Sequence, residues 1–147
     1  MMKILGIIPS RYDSNRFPGK PLLNLGGKSM VQRVYEQVEK SKLDHVIVAT
    51  DDERIYNAVV NFGGKAVMTS SEHSSGTDRC LEAMQKTVGN FDCVINIQGD
   101  EPLFNPIDIQ NLIQELDKQK NLYDVYCGYC SIDSEDTFFS FNMPKVI

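Results

Sequence analysis

The chain has 147 residues, enough for one compact domain that buries a sizeable core. Its 41% hydrophobic and 24% charged residues are the mixture of an ordinary globular protein. A formal net charge of −5 argues against a nonspecific grip on nucleic acid or an acidic membrane surface, so any phosphate must be held by a local cluster of cations.

The apolar run within Met1 to Pro9 is too short for a signal peptide and has no cleavage pattern after it. No stretch reaches the length of a transmembrane helix, so the expectation is a cytoplasmic protein with no membrane partner. Ile4 to Ile8, stopped by Pro9, reads as a fully buried strand. A polar loop punctuated by glycine and proline follows from Ser10 to about Lys28. Ser29 and Gln32 form a capping box that opens a helix, with Val31, Val34, Tyr35 and Val38 as its apolar stripe. His45 to Ala49 is the next buried strand. Thr50 and Glu53 suggest a second capping box, before a helix carrying Ile55, Ala58, Val59 and Phe62 and ended by Gly63-Gly64.

Ala66 to Met68 is a minimal strand. Thr77 to Thr87 has a helical pattern, with Leu81, Ala83, Met84 and Val88 as its apolar positions. Cys93 to Ile97 reads as a central strand. Asn105 caps a helix with Pro106 at its first position and Ile109, Leu112, Ile113 and Leu116 inward. Tyr123 to Cys130 reads as a strand, Glu135 to Phe139 as a short helix, and Lys145 to Ile147 as a strand just starting. Strand and helix alternate, which favours an α/β fold with a mostly parallel sheet and helices on both faces.

The four cysteines, Cys80, Cys93, Cys127 and Cys130, are too irregular for a disulfide framework. Cys127 and Cys130 would point to opposite faces of a strand, so they are read as structural, small buried residues and not as a metal or redox pair.

In open α/β sheets ligands bind beyond the carboxyl ends of the strands. The loop after the first strand places Arg11, Arg16 and Lys20 among Pro18, Gly19 and Pro21: cations to neutralise a polyphosphate, on a stiff backbone that permits close approach. A Walker loop fails because Gly19-Lys20 is followed by Pro21, and Gly26-Gly27 does not complete a dinucleotide fingerprint. Asp51 and Asp52 suit helix capping better than catalysis. Asp100 has an alternative as a turn residue, His45 reads as structural, and His73 is left without a role.

Taken in order, Ile7-Ile-Pro-Ser-Arg-Tyr-Asp-Ser-Asn-Arg-Phe-Pro-Gly-Lys-Pro-Leu22, Val48-Ala-Thr-Asp51, Ser75-Gly-Thr-Asp-Arg79 and Asn96-Ile-Gln-Gly-Asp-Glu-Pro102 closely resemble the motifs of the bacterial 3-deoxy-manno-octulosonate (Kdo) cytidylyltransferases. Ser10 stands where alanine is commoner in that family, a change expected to be harmless. The resemblance implies a three-layer, nucleotide-diphospho-sugar transferase-like (Rossmann-like) fold. The activity it implies is transfer of CMP from CTP to Kdo, for lipopolysaccharide biosynthesis.

By the same resemblance, Arg11 and Lys20 contact the CTP phosphates, with Arg16 a further contact. Ser75, Gly76 and Arg79 lie near the nucleotide, Gln98 touches the sugar acid, and Asp100 ligates magnesium. Family members are longer, so residues 1–147 are read as a nucleotide-binding portion truncated at the carboxyl end. The portion beyond implies more sugar contacts, a second metal ligand and much of a homodimer interface, so the 147-residue chain alone is expected to be inactive. Transfer to another sugar acid, a sugar-1-phosphate substrate, and a noncatalytic nucleotide-binding module stay open as alternatives.

Overall fold

Ile4, Leu5, Ile7 and Ile8 are almost wholly excluded from solvent. Their strand, β1 (Ile4–Pro9), is an interior strand of a four-stranded parallel sheet. The computed structural model describes residues 2–13, 17–119, 122–128, 131–132, 134–135 and 139. After β1 come a short 3-10 turn at Lys20–Leu22 and a small hairpin of β2 (Asn24–Leu25) and β3 (Lys28–Ser29). Then follow α1 (Met30–Glu39), β4 (His45–Thr50), α2 (Glu53–Asn61), β5 (Ala66–Met68), α3 (Gly76–Lys86), β6 (Cys93–Asn96) and α4 (Pro106–Lys118).

The strand order is β5-β4-β1-β6, with Ile7 opposite Ile47 on one side and Asn96 on the other. The chain therefore steps outward from β1 through β4 to β5, then returns past β1 to lay down β6. Right-handed crossovers put α1 and α2 on one face and α3 on the other. The α3 face is closed by Leu5, Ile7, Ile47, Ala49, Cys80 and Ala83. Strand alternation turns Ile4, Ile8, Val46 and Val48 to the opposite face. There α1 and α2 supply Val31, Val34, Val38, Ile55 and Val59, all fully buried. Each such aliphatic contributes roughly 1.5–3 kcal/mol, more than an exposed ion pair, so this two-sided apolar packing is what holds the sheet.

The chain forms two compact units, Met1–Asn111 and Leu112–Ile147. In the second, Leu116 is buried and the Tyr126 hydroxyl donates to the Gln119 carbonyl at 2.9 Å. Among the described residues no helix is long and apolar enough to cross a membrane.

Several elements form for the expected reasons. The Ser29 hydroxyl accepts from the Gln32 amide at 3.3 Å, although the Gln32 side chain turns to Glu36 instead of completing the box. Asn105 accepts from the Ile107 amide, with Pro106 first in α4. Gly63 ends α2 with φ +86°, and the Gly63 and Gly64 amides return to the carbonyls of Val60 and Val59.

Other elements differ. Among the described strands β6 is an edge, not central, because the chain reverses at β1. The cap of α2 is Asp52, whose Oδ1 accepts from the Arg54 amide; Thr50 is a buried end of β4. Helix α3 starts at Gly76, one residue early, because Ser75 caps it. Leu81 and Val88 are exposed (53% and 96%), since the inward face of α3 carries Arg79, Cys80 and Ala83. Leu112 and Ile113 are only half-buried.

The polar loop hides the β2–β3 hairpin, built on Gly26 and Gly27 with φ of +63° and +85°. Residues 122–128 contain no strand, and Cys127 is exposed, not buried. Cys130 and the strand expected from Lys145 lie outside the described residues, as does the Glu135 to Phe139 helix apart from its two end residues. Cys80 fits the structural reading: it is buried, and burial pushes its thiol up to about 11.

Candidate functional site

The neighbours of β1 on its two sides are β4 and β6, laid down in opposite directions of travel across the sheet, so a crevice opens beyond the carboxyl ends of β1 and β6. The structure has a cavity of about 280 Å³ there, open to solvent. Arg11, Lys20, Ser75, Gly76, Arg79, Gln98 and Asp100 all line it. Arg16 lies outside the described residues. Sequence positions far apart thus converge because each follows a strand end or opens a helix at one edge of the sheet.

The loop after β1 is tied down on both sides. The Ser10 amide donates to the Ala49 carbonyl at 2.8 Å, which aims exposed Arg11 past the sheet edge. Gly19 adopts φ +74°, a left-handed conformation that turns the chain into the Lys20 helical turn. Lys20 Nζ then lies 2.8 Å from Asp100 Oδ2, an ion pair joining the loop after β1 to the loop after β6. The side chains are 38% and 51% exposed, so the pair is worth little to stability, about 0–1 kcal/mol, and both groups stay available to a ligand. Gly99 is what lets the two loops approach: a Cβ there would be 3.0 Å from the Pro9 carbonyl oxygen and from Ser10 Oγ.

Ser10 Oγ is buried and, among the described residues, has no hydrogen-bond partner.

The α3 side is built differently. The Ser75 hydroxyl accepts from the Asp78 amide at 3.1 Å and donates to Asp78 Oδ2 at 2.6 Å, so it is committed to the cap. The Asp78 carboxylate offsets the positive end of the helix. This end of the cleft is poorly suited to phosphate, and the Arg11 and Lys20 end is well suited. Arg79 is nearly buried, 3% exposed, with Nη2 2.7 Å from Asp51 Oδ2 and Nη1 2.5 Å from Thr69 Oγ1. Its guanidinium ties α3 to the carboxyl ends of β4 and β5, and Asp51 is its counterion, while neighbouring Asp52 is the cap.

His73, without a role in the sequence, also lines the cleft and pairs with Glu82. Lys86, the Ser70 amide and His73, in that order, hold the Glu82 carboxyl at about 2. A depressed carboxyl stabilises the fold above its unfolded pKa, and that contribution is lost as pH falls from about 4.3 through about 2. Met30, at the start of α1, is a further cleft residue, missed because it reads as core.

Among the described residues no group of three or more His, Cys, Asp or Glu is placed to hold a metal ion. Magnesium needs less: one or two carboxylates, with phosphate oxygens and water completing the shell. The half-exposed Asp100 carboxylate, at the cleft and beside a phosphate-seeking lysine, fits that donor set.

The family model for cytidylyltransferases matches residues 5–147. The chain belongs to the cytidylyltransferase family. It is 53% identical over 149 residues to the 3-deoxy-manno-octulosonate cytidylyltransferase of Parabacteroides distasonis, covering 100% of this chain and 59% of that relative. It is 66% identical over 105 residues to the protein of the same name from Bacteroides thetaiotaomicron, covering 71% of this chain and 42% of the relative. A solved CMP:2-keto-3-deoxy-manno-octonic acid synthetase complexed with CTP is 48% identical, with a TM-score of 0.77 over 81% of this chain and 49% of that one. A cytidylyltransferase from Leptospira borgpetersenii, 24% identical with a TM-score of 0.70, shares the fold. The chain spans between 42% and 59% of the length of these two curated family relatives.

The Arg79–Asp51 pair gives a direct test of how this family member builds its cleft wall. Arg79→Met keeps the aliphatic bulk but leaves Asp51, 17% exposed, without its counterion. A loss of about 3 kcal/mol is expected in urea denaturation, as for a buried pair broken on one side. A loss below about 1 kcal/mol would place the pair among exposed ion pairs instead.

Proposed function

We propose that the cleft binds CTP and that the complete enzyme transfers CMP from CTP to Kdo, releasing pyrophosphate. The observation that carries this reading is the convergence of Arg11, Lys20 and Asp100 at the switch point of the sheet. It is supported by 53% identity to a relative named for that reaction and by likeness to a synthetase solved with CTP. We place the reaction in the cytoplasm, in a homodimer of the full-length protein, supplying activated Kdo for lipopolysaccharide.

In this reading the anomeric hydroxyl of Kdo attacks the α-phosphorus of CTP. An oxygen–phosphorus bond forms, the bond to the β-phosphate bridge breaks, and the hydroxyl proton passes to solvent. Arg11 and Lys20 neutralise the phosphates and hold them in line, so catalysis is positioning and electrostatics and not covalent chemistry. Arg16 adds a further phosphate contact. Asp100 would hold a magnesium ion, which would supply charge neutralisation and make a sugar hydroxyl easier to deprotonate.

The Lys20–Asp100 pair matches both halves of a magnesium nucleotide: the cation suits phosphate and the carboxylate suits the dication. Gln98 faces the sugar acid. Ser75 and Gly76 border the nucleoside, where a capped helix end with an acidic first turn disfavours phosphate. Arg79 serves that segment from behind, through Asp51 and Thr69.

Base selectivity tests the nucleotide assignment. The resemblance puts Ser75, Gly76 and Arg79 near the nucleotide, and a site shaped for one base penalises a base that leaves its polar groups unpaired. Calorimetric titration is expected to show CTP binding at least about tenfold more tightly than ATP or GTP, a difference of about 1.4 kcal/mol. Equal or tighter purine binding contradicts the assignment.

Removing one carboxylate oxygen tests the metal assignment. In the full-length enzyme Asp100→Asn is expected to abolish pyrophosphate release while leaving the melting midpoint nearly unchanged, because the residue is half-exposed and packs little core. Unchanged release by a folded variant would reduce Asp100 to a turn residue and a partner of Lys20.

A further inference from the structure

One aromatic ring on the loop after β1 gathers contacts that neither the fold nor the proposed chemistry requires. Arg54, the second residue of α2, places its guanidinium carbon 3.3 Å from the centroid of the Tyr12 ring. The other side of that guanidinium is held by Asp52, with Nε 2.9 Å from Oδ1 and Nη2 2.6 Å from Oδ2. These bonds hold the Asp52 carboxyl below its usual value. The fork therefore has a fixed plane, which a planar guanidinium can lay flat on a ring and a lysine ammonium, a point charge, cannot reproduce in full.

Tyr12 is itself tied to the far end of its loop. Its carbonyl accepts from the Gly19 amide at 2.8 Å, and a Cβ at Gly19 would lie 3.1 Å from its ring. Arg11 precedes Tyr12, and Lys20 follows Gly19. Arg11 and Lys20, two of the cations assigned to phosphate, are thus each one residue from a group that this stack holds.

We propose that Arg54 is a positioning residue for the nucleotide: stacked on Tyr12 and braced by Asp52, it fixes the backbone on which Arg11 and Lys20 are presented to the phosphates. The inference rests on the reading of the cleft as a nucleotide site. Arg54 is not among the residues that line the cleft, so it acts through Tyr12 and the Gly19 amide. An exposed arginine–ring stack corresponds to about two- to fivefold in an equilibrium constant. Substituting Arg54 leaves the α2 cap in place, because Asp52 caps through the backbone amide of residue 54.

The test is CTP calorimetry on the wild type, Arg54→Ala, Arg54→Lys, Tyr12→Leu, Tyr12→Phe and the Arg54→Ala/Tyr12→Leu pair, with hydrogen exchange at the Gly19 amide measured alongside. Arg54→Ala and Tyr12→Leu are each expected to weaken CTP about two- to fivefold, and the pair no more than either alone. Tyr12→Phe keeps the ring and is expected to bind as the wild type does; Arg54→Lys should fall between. Gly19 exchange should quicken in Arg54→Ala. Unchanged CTP affinity in Arg54→Ala, or additive losses in the pair, would overturn the proposal. If the wild type itself fails to bind CTP, the nucleotide reading falls on its own. Gly19 exchange then decides the stack: quicker in Arg54→Ala upholds it, and unchanged overturns it.

Discussion

The rest of the structure depends on the burial of β1 between two parallel neighbours. Its backbone is shared with β4 on one side and β6 on the other, and its side chains are buried on both faces. A strand so enclosed cannot carry polar side chains along its length, so chemistry is displaced to its end, where Pro9 stops the apolar run. The reversal of chain direction at the same strand leaves a crevice at that end, and the loop after β6 closes it from the other side. Gly99 eases the closure, since a Cβ there would crowd the Pro9 carbonyl and the Ser10 hydroxyl at 3.0 Å.

Two ion pairs then divide the work by their exposure. Arg79 with Asp51 is nearly dry and hydrogen-bonded further to Thr69, so breaking it strands a charge and costs stability. Lys20 with Asp100 is half in water, so its members separate at little cost. The first pair suits a wall that must not move. The second suits groups that exchange partners when a polyanion arrives. Arg79, which the sequence suggests near the nucleotide, lines the cleft and also braces its wall through Asp51 and Thr69.

Much of this was legible in the sequence because the signals were local. The Val31, Val34, Tyr35 and Val38 stripe has a helical period, and all four residues are buried in α1. Strand ends could be searched for cations and acids without knowing strand order, so Arg11, Lys20, Gln98 and Asp100 fell into one cleft. What was not legible depends on distant contacts. The place of β6 at the edge of the described strands follows from strand order. The inward face of α3 follows from a buried arginine that hydropathy counts as polar, which left Leu81 and Val88 miscast as core. The hairpin at Gly26-Gly27 was hidden by the polarity of its flanks, and the Arg54–Tyr12 stack joins segments with no shared motif.

Whether the crevice beyond β1 and β6 takes the nucleotide can be read from amide shift mapping with CTP and magnesium. A second hollow, lined by Tyr35, Asp44, His45 and Lys65 near the start of β4, serves as an internal control. Shifts on titration are expected to concentrate at Ser10, Arg11, Lys20, Gly76, Gly99 and Asp100 and to leave the second hollow unchanged. Shifts centred on the second hollow, with the crevice amides unmoved, would contradict the nucleotide assignment.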